Sequence, residues 1–362
     1  MDPHARAVLK DIPAYVPGRR AAAPVEGSPQ VHLASNENPL GPSPLALEAL
    51  ARASSQWARY PDDECTDLRE ALAARLGVPT ECLAVGAGSS GLLKLLAEAY
   101  LEPGRSVVYA WPSFPMYRIV ARLQEAQEVP VPLDGHGRHD LARMAEAARR
   151  ASLVVMCNPN NPTGTYVSGA ELAAFLDRMP GDALVVLDEA YAEFARAAAT
   201  DYPDGVRWVR EGRRVAVLRS FSKVYGLAGL RVGYLVAPPE VVEAVGRVRE
   251  PFQVSAPAQA AALAALADEA HVGRTLQVVA EGRQRLQQLA EQLRLPSYPS
   301  VANFVWLDVG LPAEQVAAEL LRRGVLVRPG PSGTTWVRVS VGTSEELSRF
   351  EGALRQVLAT AP

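Results

Sequence analysis

Cysteine is scarce in this chain of 362 residues: there are three, Cys65, Cys82 and Cys157. An odd, widely spaced set makes neither a disulfide framework nor a zinc pattern, so a reducing compartment and a cytoplasmic location are the expectation. Long apolar runs are missing too. No stretch reaches the roughly 18 apolar residues of a membrane span, and Met1 to Arg20 carry no apolar run of signal-peptide length. Neither sign of charge dominates: 37 Lys and Arg against 40 Asp and Glu leave a net charge of −3, which gives no basis for a nucleic-acid or anionic-membrane partner. Histidines number five and do not cluster with the cysteines. His136 and His139 stand close together in a Gly-rich polar segment and read as a solvated turn, so no metal site is expected.

What is present is ordinary for a soluble enzyme, at 48% hydrophobic and 21% charged residues. The length suits one large domain and a smaller one. Short apolar runs at 82–85, 106–110, 153–157, 183–187, 215–219 and 232–236 read as strands. Helical patterns lie before or between them, for example 66–76 (closed by Gly77), 91–100, 115–124 and 170–179. Such alternation predicts an α/β fold whose large domain has a mostly parallel central sheet flanked by helices. The last third differs, with one long helical region at 256–293, strands at 303–308, 325–328 and 336–341, and helices at 313–323 and 344–359. It predicts a smaller α+β domain. The expected division is 1–44 as an N-terminal segment joining the small domain, 45–250 as the large domain and 251–362 as the small one.

Two motifs point toward nucleotides and fail on their surroundings. Residues 86–91 fit G-x-G-x-x-G after a strand, but the acidic residue required about 20 positions on is replaced by Ala110 and Trp111. The loop can still present backbone N–H groups to a phosphate at a helix start. Residues 184–189 (LVVLDE) look like the acidic strand of a P-loop NTPase, yet Gly91 is followed by Leu92 and Leu93 and no Walker lysine exists. Three other segments form a stronger set. NPNNPTG at 158–164, DEAY at 188–191 and SFSKVYGLAGLR at 220–231 each follow an apolar strand, at the carboxyl ends where open α/β sheets bind ligands. Together they offer an amine, a carboxylate, an amide, a phenol, two hydroxyls and a guanidinium, an inventory suited to an aldehyde cofactor that carries a phosphate.

These residues resemble the fold type I pyridoxal-phosphate enzymes, within them the histidinol-phosphate aminotransferase-like group. The likeness covers nearly the whole chain. It includes AYVPGR at 14–19, LASNENPLGP at 33–42, YPD at 60–62, PSFPMY at 112–117 and RVSVGT at 338–343, besides the three segments above. The resemblance implies catalytic roles for Lys223, as the Schiff-base amine and proton carrier, and for Asp188 and Tyr191. It implies that Asp188 keeps the pyridine nitrogen protonated and that Asn161 and Tyr191 bond the ring's phenolic oxygen. Phe114 would stack on the ring, while Ser220, Ser222, Arg231 and the amides near Gly88 and Ser89 hold the phosphate. Tyr60 would reach that phosphate from a neighbouring subunit, making the active unit a homodimer. Arg338 would grip the carboxylate of the amino donor as a fork. Arg328, Tyr15 and Asn36 complete the substrate group, and the partners are a small-molecule amino donor and a 2-oxo acid acceptor.

Two stretches depart from the family's pattern. Ser90 and Gly91 stand where an acidic pair is frequent, and residues 252–257 read FQVSAP where asparagines are common. The reaction implied first is transfer of the amino group between histidinol phosphate and 2-oxoglutarate. An aromatic amino-acid aminotransferase and a threonine-phosphate decarboxylase-type lyase are the alternatives on the same scaffold.

Overall fold

The computed structural model describes residues 2, 4–10, 12 and 30–360. Eleven strands occur among them: β1 (Val31–Leu33), β2 (Leu83–Gly86), β3 (Ser106–Trp111), β4 (Gln127–Pro132), β5 (Leu153–Cys157), β6 (Leu184–Asp188), β7 (Val215–Ser220), β8 (Gly233–Val236), β9 (Phe304–Asp308), β10 (Val325–Pro329) and β11 (Trp336–Ser340). Seven form one sheet in the order β2-β8-β7-β6-β5-β3-β4. Its neighbours pair parallel except where β8 meets β7 and β2. The expected α/β class and mostly parallel sheet are therefore present. Every residue of β5, β6 and β7 is buried, as continuous apolar runs covered by helices on both faces must be.

A second sheet has the order β1-β10-β11-β9, with Val31–Leu33 pairing parallel to Val325–Val327. One core cluster runs through both sheets, from Val154 and Val185 to Phe304 and Val339. Asn36, after β1, bonds Tyr191, after β6, and Arg338 on β11 bonds Asn161, after β5, so the carboxyl ends of β5 and β6 meet the second sheet.

Three expectations need correction. The helical region at 256–293 is two helices, Ala256–Ala267 and Glu269–Gln292. Asp268 leaves the helical region of backbone space, and its carboxylate accepts the His271 amide, starting the second helix as an N-cap. Strand β4 was not expected, because Pro130 and Pro132 cannot donate to a ladder; it is tolerated at the sheet's edge. His139 is not a solvated turn residue: it is buried, with Nε2 2.8 Å from the Cys157 carbonyl. The Asp134 carboxylate accepts the amides of His136 and Arg138, which folds the turn back and tucks His139 against β5.

Candidate active site

Parallel register sets Cys157 beside Asp188 and Asp188 beside Leu218. Adjacent strands lie about 4.8 Å apart. The three segments that follow β5, β6 and β7 are thus neighbours although some 30 residues of chain separate each from the next. They open on a cavity of about 230 Å³. Its walls include Ser89, Ser90, Phe114, Asn161, Asp188, Tyr191, Ser220, Ser222, Lys223 and Arg231, with Ser35 and Glu37 from the loop after β1.

One end of the cavity is built for an anion. Gly88 opens the helix Gly88–Tyr100, whose first amides receive no side-chain cap. Its φ of +79° favours glycine, and a Cβ there would lie 2.6 Å from Arg231 Nη2. Close approach of backbone and guanidinium therefore requires glycine at this position. Arg231 Nη1 donates to the Ala228 carbonyl at 3.1 Å and lies 3.5 Å from Ser222 Oγ. The Ser222 amide donates to Ser220 Oγ at 3.0 Å. A guanidinium, two hydroxyls and a helix N-terminus converge.

The opposite end holds a buried carboxylate. Asp188 Oδ2 accepts from Tyr117 Oη at 2.8 Å and Oδ1 from the Ala190 amide at 3.2 Å. No Lys, Arg or His forms an ion pair with it among the described residues. Burial raises its carboxyl above the usual carboxylate range, against the bond from Tyr117. Phe114 meets the Tyr117 ring edge-on at 5.8 Å. Cys157 lines the same end, and burial pushes its thiol up to about 12, so it is an inert thiol.

Between the two ends lies Lys223. Its Nζ donates to the Ser35 carbonyl at 3.1 Å and stands 5.7 Å from the centroid of the Tyr191 ring. Its pKa falls to about 8, first because burial disfavours the ammonium and next because of the Arg338 guanidinium, with Glu37 opposing. Tyr191 Oη accepts from Asn36 Nδ2 at 2.9 Å. Arg338 Nη1 donates to Asn161 Oδ1 at 2.6 Å and Nη2 donates to the Ala34 carbonyl. The amide oxygen of Asn161 is thereby engaged, which leaves its NH2 group for the cavity.

Most of the expected residues are brought together. Ser89, Phe114, Asn161, Asp188, Tyr191, Ser220, Ser222, Lys223 and Arg231 line the cavity. Gly88, Asn36 and Arg338 touch that set directly. Arg328 is not part of the wall; it sits opposite Arg338 in the β10–β11 register, so the two side chains leave the same face of the sheet. Tyr60 is 82% exposed and stacks on Phe252, outside the cavity. Tyr15 lies outside the described residues. Tyr117 had no role in the sequence reading; a turn in which its amide donates to the Phe114 carbonyl at 3.2 Å leads into the helix that carries it. Ser35 and Glu37 likewise had none, although both lie in the LASNENPLGP segment at 33–42.

The model of the family described as aminotransferase class I and II matches residues 28–354. A protein named histidinol-phosphate aminotransferase from Moorella thermoacetica is 46% identical over 368 residues, spanning 99% of this chain and 94% of that protein. One named aromatic amino acid aminotransferase from Streptomyces coelicolor is 47% identical over 348 residues, spanning 95% and 94%. Among solved structures, histidinol-phosphate aminotransferase from Sinorhizobium meliloti in complex with pyridoxal-5'-phosphate superposes with a TM-score of 0.88 at 30% identity, over 99% of this chain and 98% of that one.

Proposed function

The chain belongs to the class I and II aminotransferases, and from that premise we propose that it binds pyridoxal phosphate and moves an amino group between histidinol phosphate and 2-oxoglutarate. Members of this family depend on that cofactor, and the residues present fit it. The anion end formed by Gly88, Ser89, Ser220, Ser222 and Arg231 suits the phosphate. Asp188, a buried carboxylate facing the cavity with no ion pair to a described residue and with Lys223 as its nearby cation, suits a protonated pyridine nitrogen. Asn161 and Tyr191 suit the ring's phenolic oxygen, and Phe114 its face. Bound pyridoxal phosphate supplies an electron-withdrawing cationic ring for the electron pair left when a bond at the substrate's α-carbon breaks.

The chain's own groups account for the rest. Lys223 Nζ has an appreciable free-base fraction at neutral pH, so it can take the proton from the α-carbon of the amino donor. Tyr191 and Asn161 are fixed by Asn36 and Arg338, which keeps the reacting groups oriented. Arg338 holds the α-carboxylate as a planar fork. Asn36 positions that end of the site, and Arg328 meets the distal group, with Tyr15 as its proposed companion.

The observation that carries the substrate reading is the pairing of Arg328 with Arg338 across β10 and β11. Like charges directly opposite disfavour a sheet. Two guanidinium groups on one face suit both half-reactions: glutamate and 2-oxoglutarate carry a carboxylate at each end, and histidinol phosphate, which has no carboxylate, carries a doubly charged phosphate. The relative named an aromatic amino acid aminotransferase favours the second reading, an aromatic donor. Mixing the cofactor-loaded enzyme with histidinol phosphate, phenylalanine, tyrosine and glutamate, and following the cofactor's visible absorbance, separates the two. Fast bleaching by histidinol phosphate with slow response to phenylalanine supports the first; the reverse overturns it. Carbon dioxide release from a phosphorylated amino acid would instead indicate a lyase.

We further propose a homodimer in which Tyr60 reaches the partner's phosphate site. Every exposed large apolar side chain among the described residues lies between Leu40 and Tyr60 or between Val248 and Phe252. Arg249 ties the two stretches by a fork onto Asp63. Exposed apolar side chains gathered in two such stretches, with Tyr60 stacked on Phe252, support an interface there. The proposed units remain 45–250 and 251–362, with the N-terminal 1–44 joining the latter; the pairing of β1 with β10 supports this.

A further inference from the structure

The loop after β1 treats three successive residues differently. Asn36 is buried: its amide donates to Ser340 Oγ at 2.8 Å, its Oδ1 accepts from the same hydroxyl, and its carbonyl accepts from Asn303 Nδ2 at 3.0 Å. Asn38 is buried as well, donating to the Val224 carbonyl and Thr275 Oγ1 and accepting from the Leu40 amide. Glu37 between them is exposed and lines the cavity. Its carboxylate forms no hydrogen bond or ion pair among the described residues. Its neighbours pin the backbone on both sides, so this carboxylate is held at the cavity mouth by a rigid support.

Among the described residues only two acids line the cavity, Glu37 and Asp188. Asp188 sits deep beneath Tyr117, whereas Glu37 stands two residues from Ser35, the carbonyl that receives Lys223 Nζ. Its charge is felt at that amine. The donor's α-carbon must react beside Nζ, so the side chain leaving that carbon passes the 35–37 loop. A phosphate is repelled by Glu37 and drawn toward Arg328 and Arg338. A ring N–H is drawn to the carboxylate, which a hydrocarbon ring cannot reward.

We propose that Glu37 is a specificity-determining residue whose carboxylate accepts the ring N–H of an imidazole-bearing amino donor and favours it over a donor with a hydrocarbon ring. This rests on the reading of the site given above. It adds a residue that selects the ring, while the arginines select the anion.

The test uses the cofactor-loaded enzyme and the variants Glu37→Gln and Glu37→Ala. The ratio of kcat/KM for histidinol phosphate over phenylalanine is expected to fall about fivefold in both, as suits a partly exposed charge-assisted contact. A ratio cancels any change in the reactivity of Lys223 that affects both donors alike. Calorimetry supplies a readout without turnover: imidazolylpropyl phosphate and phenylpropyl phosphate lack the amine and cannot react. The variants should lose about fivefold in affinity for the first relative to the second. If histidinol phosphate is a good donor for the wild type and neither ratio moves, the assignment of Glu37 is wrong while the reading of the site stands. Equal losses on both donors also overturn it, since Glu37 would then act only through Lys223. If histidinol phosphate does not react with the wild type at all, the underlying reading fails and this inference with it.

Discussion

Replacing Arg338 by glutamine is expected to make Lys223 more basic and slower to capture an aldehyde at neutral pH. Lys223 Nζ has its pKa lowered from the ordinary 10.5 to about 8, burial being the larger cause and the Arg338 guanidinium the next. That difference makes the uncharged amine roughly 300-fold more abundant at neutral pH than on an ordinary lysine. The free base is the nucleophile, so the capture rate rises with pH and levels off above about 8 in the wild type. Removing the positive charge of Arg338 moves this midpoint upward, and burial, which stays, keeps it below 10.5. At a fixed pH near 7.5 the capture rate then falls severalfold, by up to about tenfold. Removing the negative charge of Glu37 moves the midpoint the other way, because Glu37 opposes the lowering. The assay mixes cofactor-free protein with pyridoxal, which carries no phosphate to titrate, from about pH 6 to about pH 10. The visible absorbance of the adduct is followed by stopped flow. A wild-type midpoint near 10.5, or variants of opposite charge change moving it in the same direction, would refute the electrostatic account.

Other perturbations separate the remaining contacts. Tyr117→Phe removes the phenol that donates to Asp188 Oδ2, so the carboxyl should rise further and the acidic limb of the rate profile should move to higher pH. Its stability cost should be about 1 kcal/mol by denaturant melts. Gly88→Ala adds a methyl group against Arg231 at a position with φ of +79°; cofactor retention on dialysis should weaken by tenfold or so, while the melting temperature falls only modestly. Glu189→Gln leaves the buried Arg219 guanidinium with one carboxylate, Asp204, in place of two. Calorimetric unfolding should show a loss of about 3 kcal/mol, because an under-compensated buried charge dominates; a loss under about 1 kcal/mol would mean that water reaches Arg219.

Much of the large sheet was legible because its central strands are fully buried. An uninterrupted apolar run bounded by turn residues signals such a strand without reference to its neighbours, and β5, β6 and β7 each lie within one residue of where the runs put them. The functional segments were legible for the same reason: they follow those runs, and the carboxyl end of a parallel strand is where a ligand site forms. Elements set by long-range pairing were not legible. β1 is three residues long and exists because it adds to β10 almost 300 residues away. β4, with two prolines, exists because it occupies an edge.

The sequence by itself determined the chemical inventory of the three segments at 158–164, 188–191 and 220–231: one lysine, one aspartate, one arginine and their hydroxyl and amide companions, each segment following a strand. Tertiary structure alone decided what those groups are. Lys223 is an ordinary lysine until burial and Arg338, 115 positions along the chain, lower its basicity. Asp188 becomes a buried carboxylate only when Tyr117 and the helices over β6 close around it. His139, polar and flanked by Arg138 and Asp140, was buried by a turn that Asp134 folds back. Glu37 faces the cavity because two asparagines carry their side chains inward on either side of it. Local pattern records which elements form, since propensity and periodicity act over neighbouring residues. Charge state and reactivity depend on solvent exclusion and on charges that only the folded chain brings within reach.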